Sequence, residues 1–317
     1  MKLDFDKIVI WGHKIRNLNE YIHTHSWVNG GFYKGFKKLG HTTYWFDDKN
    51  YDKNMNYSKT LFLTMGNKEN KNMPILVDSY YIFHNSNIPP FYEKVGISKK
   101  NYMVLQVYTH DCKTRNLTRV FDDDPFQLYN LNQHIIYFPW ATDLFPEDIE
   151  KNIKRIRGLP VKKVIRFVGM IIQPWPVFAK AARRKGIFLT KVGGYDKQKV
   201  TPEENQRLIQ ESFIAPTIVC KFQEEKGYIP CRIFKNISAG KYGVTNSATV
   251  NELFFNELIY DHDVEKLFQK SYLMVKDGKT DWGKLEKHMR FVAEKHTYLN
   301  RCQTLLDIFK RILNHNT

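Results

Sequence analysis

Apolar and polar positions alternate in blocks along the chain, and the period of those blocks switches in a regular order. Lys7-Ile-Val-Ile-Trp-Gly12 is a short apolar run closed by glycine, the mark of a buried strand. Val28, Phe32, Phe36 and Leu39 then recur at helical spacing, with Ser26 placed to cap the helix and Gly40 to end it. His41-Thr-Thr-Tyr-Trp-Phe46 is β-branched and aromatic and runs into Asp47-Asp48, so strand, helix and strand form a βαβ unit. Apolar runs at 60–65, 75–77, 80–83, 103–107 and 135–138 predict further strands of the same sheet.

A basic helical segment up to Arg157 and the stretch Gly158-Leu-Pro160 read as a linker, after which the alternation starts again. Strands are predicted at 164–170, 187–192 and 216–219, and a helix at 177–184. Thr201-Pro-Glu-Glu204 opens another helix, with proline at its first position and acids in its first turn. In the tail, Leu285, Val292, Leu299, Leu306 and Leu313 repeat every seven residues, with Met289, His296, Cys302 and Phe309 at the alternate steps. That pattern predicts a helical stripe, broken at most once, packing across the domains. The expected organisation is a first domain over 1–146, a linker over 147–160, a second domain over 161–284 and a C-terminal helical segment over 285–317.

Composition narrows this picture. A chain of 317 residues with 42% apolar and 15% aromatic side chains suits two folded domains with a cleft and excludes disorder. The start MKLDFDKIVIWGH sets two aspartates ahead of a short apolar segment, unlike a signal peptide, so a cytoplasmic setting is expected. Four cysteines without CxxC spacing fit reduced thiols, and no structural metal is expected. The excess of Lys, Asn, Ile and Tyr suits an AT-rich coding genome, such as that of a large DNA virus or a low-GC microbe. The net charge of +16 suits nucleic acid, an anionic membrane surface or phosphorylated small molecules. Its basic residues are spread out, densest at 151–157, with no RGG, KH or zinc-finger pattern. A solvated basic surface is the simpler reading; no specific nucleic acid is expected, and peripheral contact with an anionic membrane stays open.

The most informative stretch is GYIPCRIFKNISAGKYGVTNS over 227–247. Pro230 suits the first turn of a helix and Gly240 its end, so a helix is predicted over 230–239. Gly227-Tyr-Ile229 supplies no capping side chain, which leaves the first N–H groups free. At about 100° per residue, Arg232, Lys235, Asn236 and Ala239 share one face and Ile233, Phe234 and Ile237 the other. Cations at a helix start oppose the dipole by about 0.3 to 1 kcal/mol each, and a bound phosphate reverses that sign. The alternative is an arginine that reaches solvent or pairs with Glu224 or Glu225. Asn246 and Ser247 close the next strand, expected over 242–245, and open a helix containing Glu252, either as caps or as ligand contacts.

Taken in order, these residues resemble a GT-B glycosyltransferase over nearly the whole chain. The parallels are Lys7 to Gly12 with Asn29-Gly30-Gly31 and Leu39-Gly-His41, Val168-Gly169-Met170, and the run Pro230 to Gly240 before a strand. The resemblance implies an α/β protein of two Rossmann-like domains with a deep interdomain cleft, the first for the acceptor and the second for the donor. It implies transfer of a hexose from a nucleotide diphosphate sugar to a hydroxyl of a glycan or other acceptor, without a separate cofactor. The donor-binding residues it points to are Gly169, Tyr228, Ile229, Pro230, Arg232, Lys235, Asn236, Asn246 and Ser247, with Glu252 for the ribose. Lys235 stands where retaining members with an E-x7-E signature carry glutamate, which argues against retention. An inverting reaction needs a base. First-domain candidates are His13, His23, His25, His84, His110 and Asp111, of which His25 and the His110-Asp111 pair are favoured. The D-x-D runs at 122–124 and 261–263 allow a metal reading. The first of them, before Pro125, reads more simply as a turn and helix start. Rival readings are a non-catalytic nucleic-acid or glycan binder and a nucleotide-sugar epimerase.

Overall fold

The first apolar run folds as the strand β1 (Lys7–Trp11). The computed structural model describes residues 5–14, 24–64, 70–84, 94, 96–98, 101–108, 118–121, 124–130, 135–159, 161–168, 173–192 and 200–315. Helix α1 (Thr24–Lys38) buries Val28, Phe32 and Phe36 of the predicted stripe, while Leu39 lies just past its end and is half-buried. Ser26 is not its cap: the helix already starts at Thr24, and Ser26 is buried inside it. Gly40 takes φ of 85°, a left-handed conformation that lets His41 N–H reach back to the Phe36 carbonyl at 3.1 Å.

Strands β2 (Thr43–Phe46), β3 (Thr60–Thr64), β4 (Tyr80–His84), β5 (Tyr102–Gln106) and β8 (Ile135–Tyr137) join β1 in a parallel sheet of order β2-β1-β3-β4-β5-β8. Its strands are apolar on both faces, as parallel strands covered on both sides must be. An antiparallel pair, β6 (Thr118–Phe121) and β7 (Asp124–Asn130), continues the sheet past β8. The acidic run before Pro125 therefore leads into a strand, not a helix: the residue before a proline favours extended backbone, and β7 takes it up. The apolar run 75–77 is no strand. Val77 is 91% exposed, and Leu76 N–H is taken by the Tyr81 hydroxyl rather than by a neighbouring strand.

The chain divides into two units, residues 1–139 with 298–317, and residues 140–297. The heptad stripe is accordingly shared between two helices, α9 (Trp282–Lys295) in the second unit and α10 (Tyr298–His315) in the first. Within the first unit α10 packs on α1, and two glycines permit the approach. A Cβ on Gly31 would stand 2.2 Å from the Tyr298 ring, and one on Gly35 2.7 Å from Cys302 Sγ and 2.9 Å from the Tyr298 carbonyl oxygen. Gly35→Ala is expected to cost about 1 to 3 kcal/mol by overpacking despite alanine's better helix propensity, read by urea denaturation.

The second unit alternates in the Rossmann manner. Helix α2 (Pro146–Arg155) and a 3-10 turn (Ile156–Gly158) lead to β9 (Val164–Val168), α3 (Trp175–Arg183), β10 (Phe188–Val192), α4 (Pro202–Glu211) and β11 (Pro216–Thr217). There follow α5 (Lys221–Glu225), α6 (Cys231–Ser238), β12 (Val244–Thr245), α7 (Ala248–Leu253), β13 (Ile259–Tyr260) and α8 (Val264–Lys276). Pairs β10-β9 and β11-β12-β13 are all parallel, and Phe213 N–H donating to the Val164 carbonyl at 2.8 Å lays the segment before β11 beside β9. The predicted start of α4 is in place: Thr201 Oγ1 accepts from Glu204 N–H at 3.1 Å. The protein is thus an α/β fold of two Rossmann-like units.

Lys241, just past α6, is an uncommon core residue. It is 8% exposed, its Nζ donates to the Ser212 carbonyl at 2.6 Å, and no carboxylate among the described residues pairs with it. Burial alone pushes its pKa down to about 8. The unfolded lysine holds its proton up to about 10.4, so between those values the unfolded chain binds the extra proton and stability rises with pH. The rise expected from this residue is about 3 kcal/mol. Lys235, whose pKa is raised, loses its contribution only as pH climbs through that higher folded value. Lys241→Met should abolish the Lys241 step, seen by comparing wild-type and variant urea curves at pH 7 and pH 10.

Candidate functional site

Helix α6 begins one residue later than predicted, with Pro230 as its N-cap in extended backbone and no side chain capping the first turn. Its apolar back is fully buried at Ile233, Phe234 and Ile237, and Gly240, with φ of 93°, ends it. The uncapped end sits on the carboxyl-end side of the strands, where open α/β sheets bind ligands. Arg232 reaches from the first turn to the end of β9: its guanidinium donates to the Val168 carbonyl at 2.9 Å and lies over the Phe167 ring at 4.0 Å. The residue is half-buried, and burial pulls its pKa below the ordinary arginine value. It remains charged all the same, because arginine is not deprotonated in proteins. No carboxylate pairs with it among the described residues. Glu224 bonds to His262 at 3.1 Å and Glu225 to Lys221 at 3.8 Å, so neither expected partner is on Arg232.

Lys235 is placed differently from the expectation of an open cationic face. Its Nζ is 2.9 Å from Asp143 Oδ1, with only 12% and 13% of the two side chains exposed. Burial, the largest single effect, lowers the lysine's pKa, but Asp143 together with Cys231 more than offsets it and the net shift is upward. The same stretch is tied to α6 by Thr142 Oγ1 and Ser238 Oγ at 2.9 Å, and Asn152 Nδ2 donates to the Ser238 carbonyl at 2.8 Å. The helix is therefore braced from behind while its first turn carries an unmatched cation.

The neighbouring candidates have internal partners. Asn236 is buried and donates to the Ala215 carbonyl at 2.6 Å, fastening α6 beside β11. Asn246 brackets the Val219 peptide, accepting its N–H at 2.9 Å and donating to its carbonyl at 3.0 Å. Ser247 caps α7 by accepting from Val250 N–H at 3.3 Å. These three side chains shape the rim. Glu252 is exposed on α7, Tyr228 half-buried, and Ile229 and Pro230 buried. Gly169 lies outside the described residues. The second D-x-D run is a helix start: Asp263 caps α8, accepting from Glu265 N–H at 2.8 Å, and Asp261 pairs with Lys270 at 2.8 Å.

In the first unit the parallel sheet gathers three histidines at its carboxyl ends. His13 follows β1 with φ of 48°, His84 is the last residue of β4, and His25 lies in the first turn of α1. The His25 ring is 5.4 Å from His13 and 5.2 Å from His84, centre to centre. His84 is buried; burial first, and the nearby His25 second, hold its pKa well below the ordinary value, so it is neutral at pH 7. His25 is half-exposed. The sequence ranked His13 and His84 below His25; the signal that would have raised them is their position at strand ends separated by a single strand, β3. His23, His110 and Asp111 lie outside the described residues.

No helix among the described residues is long and apolar enough to cross a membrane. No family model matches the chain, and no curated protein matches it. Among solved structures it is similar to the DNA modifying enzyme β-glucosyltransferase, determined in the presence and absence of the substrate uridine diphosphoglucose. That likeness has 12% identity and a TM-score of 0.47, covering 97% of this chain and 99% of that one.

Proposed function

We propose that the protein is a GT-B glycosyltransferase that moves a sugar from a nucleotide diphosphate sugar to a hydroxyl acceptor, with inversion and without a required metal. The observation that carries this reading is Arg232: a half-buried cation without a carboxylate partner among the described residues, at an uncapped helix start on the carboxyl-end side of a Rossmann-like sheet. Diphosphate oxygens complete that arrangement, accepting from the first-turn N–H groups and from the in-plane guanidinium N–H groups that the Val168 carbonyl does not take. In the reaction the acceptor oxygen attacks the anomeric carbon, the bond from that carbon to the diphosphate oxygen breaks, and a base takes the acceptor's proton. Arg232 and the helix start stabilise the charge on the leaving diphosphate. His25 in the first-unit cluster is the candidate base among the described residues. Lys235 has the structural part of holding Asp143, and Asn236, Asn246 and Ser247 keep the rim rigid.

The net charge of +16 favours an acidic acceptor over a neutral one, and also supports a second reading, a polyanion-binding protein without catalysis. A thermal-shift screen over UDP, GDP, dTDP and CMP sugars, with and without EDTA, separates them. One nucleotide class is expected to raise the melting temperature, unchanged by EDTA. Silence toward every nucleotide, with salt-sensitive binding to random duplex DNA, favours the second reading; an EDTA-sensitive response removes the metal-independent part.

A further inference from the structure

The segments that lead into β11 and β12, opposite the rim that carries Arg232, line a cavity. Its volume is about 70 Å³, and its walls include Ile156, Leu159, Phe213, Trp282 and Leu285, with Lys241 the one charged residue lining it. It adjoins a more open groove of about 390 Å³, with Tyr242 and Met274 common to both. A volume near 70 Å³ admits a group of a few heavy atoms, while the groove is in the range of small-molecule pockets.

The charge on the cavity walls is of one sign, from Lys241, while the groove carries both, Glu257 and Asp281 beside Lys270, Lys279 and Lys284. An ammonium carries three N–H donors, and Lys241 spends one on the Ser212 carbonyl; no other acceptor takes the rest among the described residues. A buried charge without an opposite charge is costly, and a ligand anion removes that cost. The carboxylates at the groove are already engaged. Glu257 accepts from Lys287 at 2.9 Å and faces His288 Nε2 at 3.0 Å, and Asp281 caps α9 by accepting from Lys284 N–H at 2.9 Å. Lys270 and Lys279 are paired with Asp261 and Asp277, whereas the Lys284 ammonium has no carboxylate partner among the described residues. Apolar and aromatic walls, one buried ammonium and one unpaired lysine at the mouth select a small organic anion.

We propose that this cavity and groove form a second ligand site, distinct from the phosphate site at Arg232, which takes a small monocarboxylic acid. Its carboxylate pairs with Lys241 Nζ, and its short apolar or aromatic tail lies between Tyr242 and Met274. No step of the proposed transfer uses this site, so it stands or falls independently of that reading.

The test is a thermal-shift titration of the full chain with butyrate and benzoate, against butanol and benzyl alcohol at matched ionic strength. At a hundredfold excess over Kd the carboxylates are expected to raise the melting temperature by about 4 °C. The alcohols are expected to leave it unchanged. Lys241→Met should abolish the response while keeping the apolar walls. Val161→Trp, at a cavity-lining position that is 52% exposed, should also abolish it by filling the space with Lys241 untouched, which guards against a Lys241 variant that fails to fold. No carboxylate response in the wild-type protein, an equal response to the alcohols, or a response that survives Val161→Trp overturns the proposal. Nucleotide binding by the same samples is expected to be unaffected.

Discussion

Replacing Asp143 with asparagine is expected to destabilise the protein by about 3 to 5 kcal/mol. The pair with Lys235 is 2.9 Å long and about seven-eighths buried on both sides, so solvent screens it little. In the folded protein Asp143, with Cys231 adding to it, offsets the burial that lowers the pKa of Lys235, and the lysine stays charged. Asparagine keeps the shape and removes the charge, leaving an ammonium in a site built for an ion pair. The double variant Asp143→Leu/Lys235→Met should recover most of the loss, because apolar replacement of both partners removes two desolvation costs together. Urea denaturation of the two variants beside the wild type decides this. A loss below about 1 kcal/mol for Asp143→Asn would mean that the pair behaves as a surface contact. The consequence reaches function, because the same residues brace α6 behind its uncapped end.

Arg232→Ala should lower the affinity for a nucleoside diphosphate by about 30-fold to 1000-fold, the cost of about 2 to 4 kcal/mol for a charge-assisted contact at a partly buried site. The stability cost is expected to be smaller, about 1 to 2 kcal/mol, from the lost contact with Phe167 and the lost bond to the Val168 carbonyl. Arg232→Lys keeps the charge and forfeits the planar stack on Phe167, so it should fall between the two. Calorimetric titration beside urea curves separates the effects. An alanine variant that unfolds, or one that binds diphosphates as well as the wild type, removes Arg232 from the phosphate site.

Much of the fold was legible because period and punctuation agree over long stretches. The buried stripe of α1, the left-handed Gly40 and Gly240, and the Thr201 cap each came from a local rule that tertiary packing leaves alone. The failures are also local. Residues 75–77 are apolar and Ile75 and Val77 are β-branched, yet the Leu76 N–H goes to the Tyr81 hydroxyl rather than to a neighbouring strand, and Val77 ends exposed. The hairpin of β6 and β7 was missed because an acidic turn before proline reads alike for a helix start and for a strand.

The site was half legible for a related reason. A helical wheel shows which residues share a face of α6, but not what lies across from it. Arg232 and Lys235 look equivalent in sequence; only the fold sets Asp143 against one and the end of β9 against the other. Asn236 and Asn246 carry the residue type of ligand contacts, and their amides are taken by the Ala215 and Val219 peptides of the chain itself. The histidine cluster depends on strand order, which a single sequence does not state: His13 and His84 become neighbours of His25 only because β3 alone separates β1 from β4.

The most direct test of the central claim is a crystal structure of the protein with the nucleoside diphosphate that gives the largest thermal shift. Diphosphate oxygens are expected within hydrogen-bond distance of the Arg232 guanidinium and of the first-turn N–H groups of α6, with Lys235 still on Asp143. A diphosphate bound elsewhere, with Arg232 contacting only Val168 and Phe167, would contradict it.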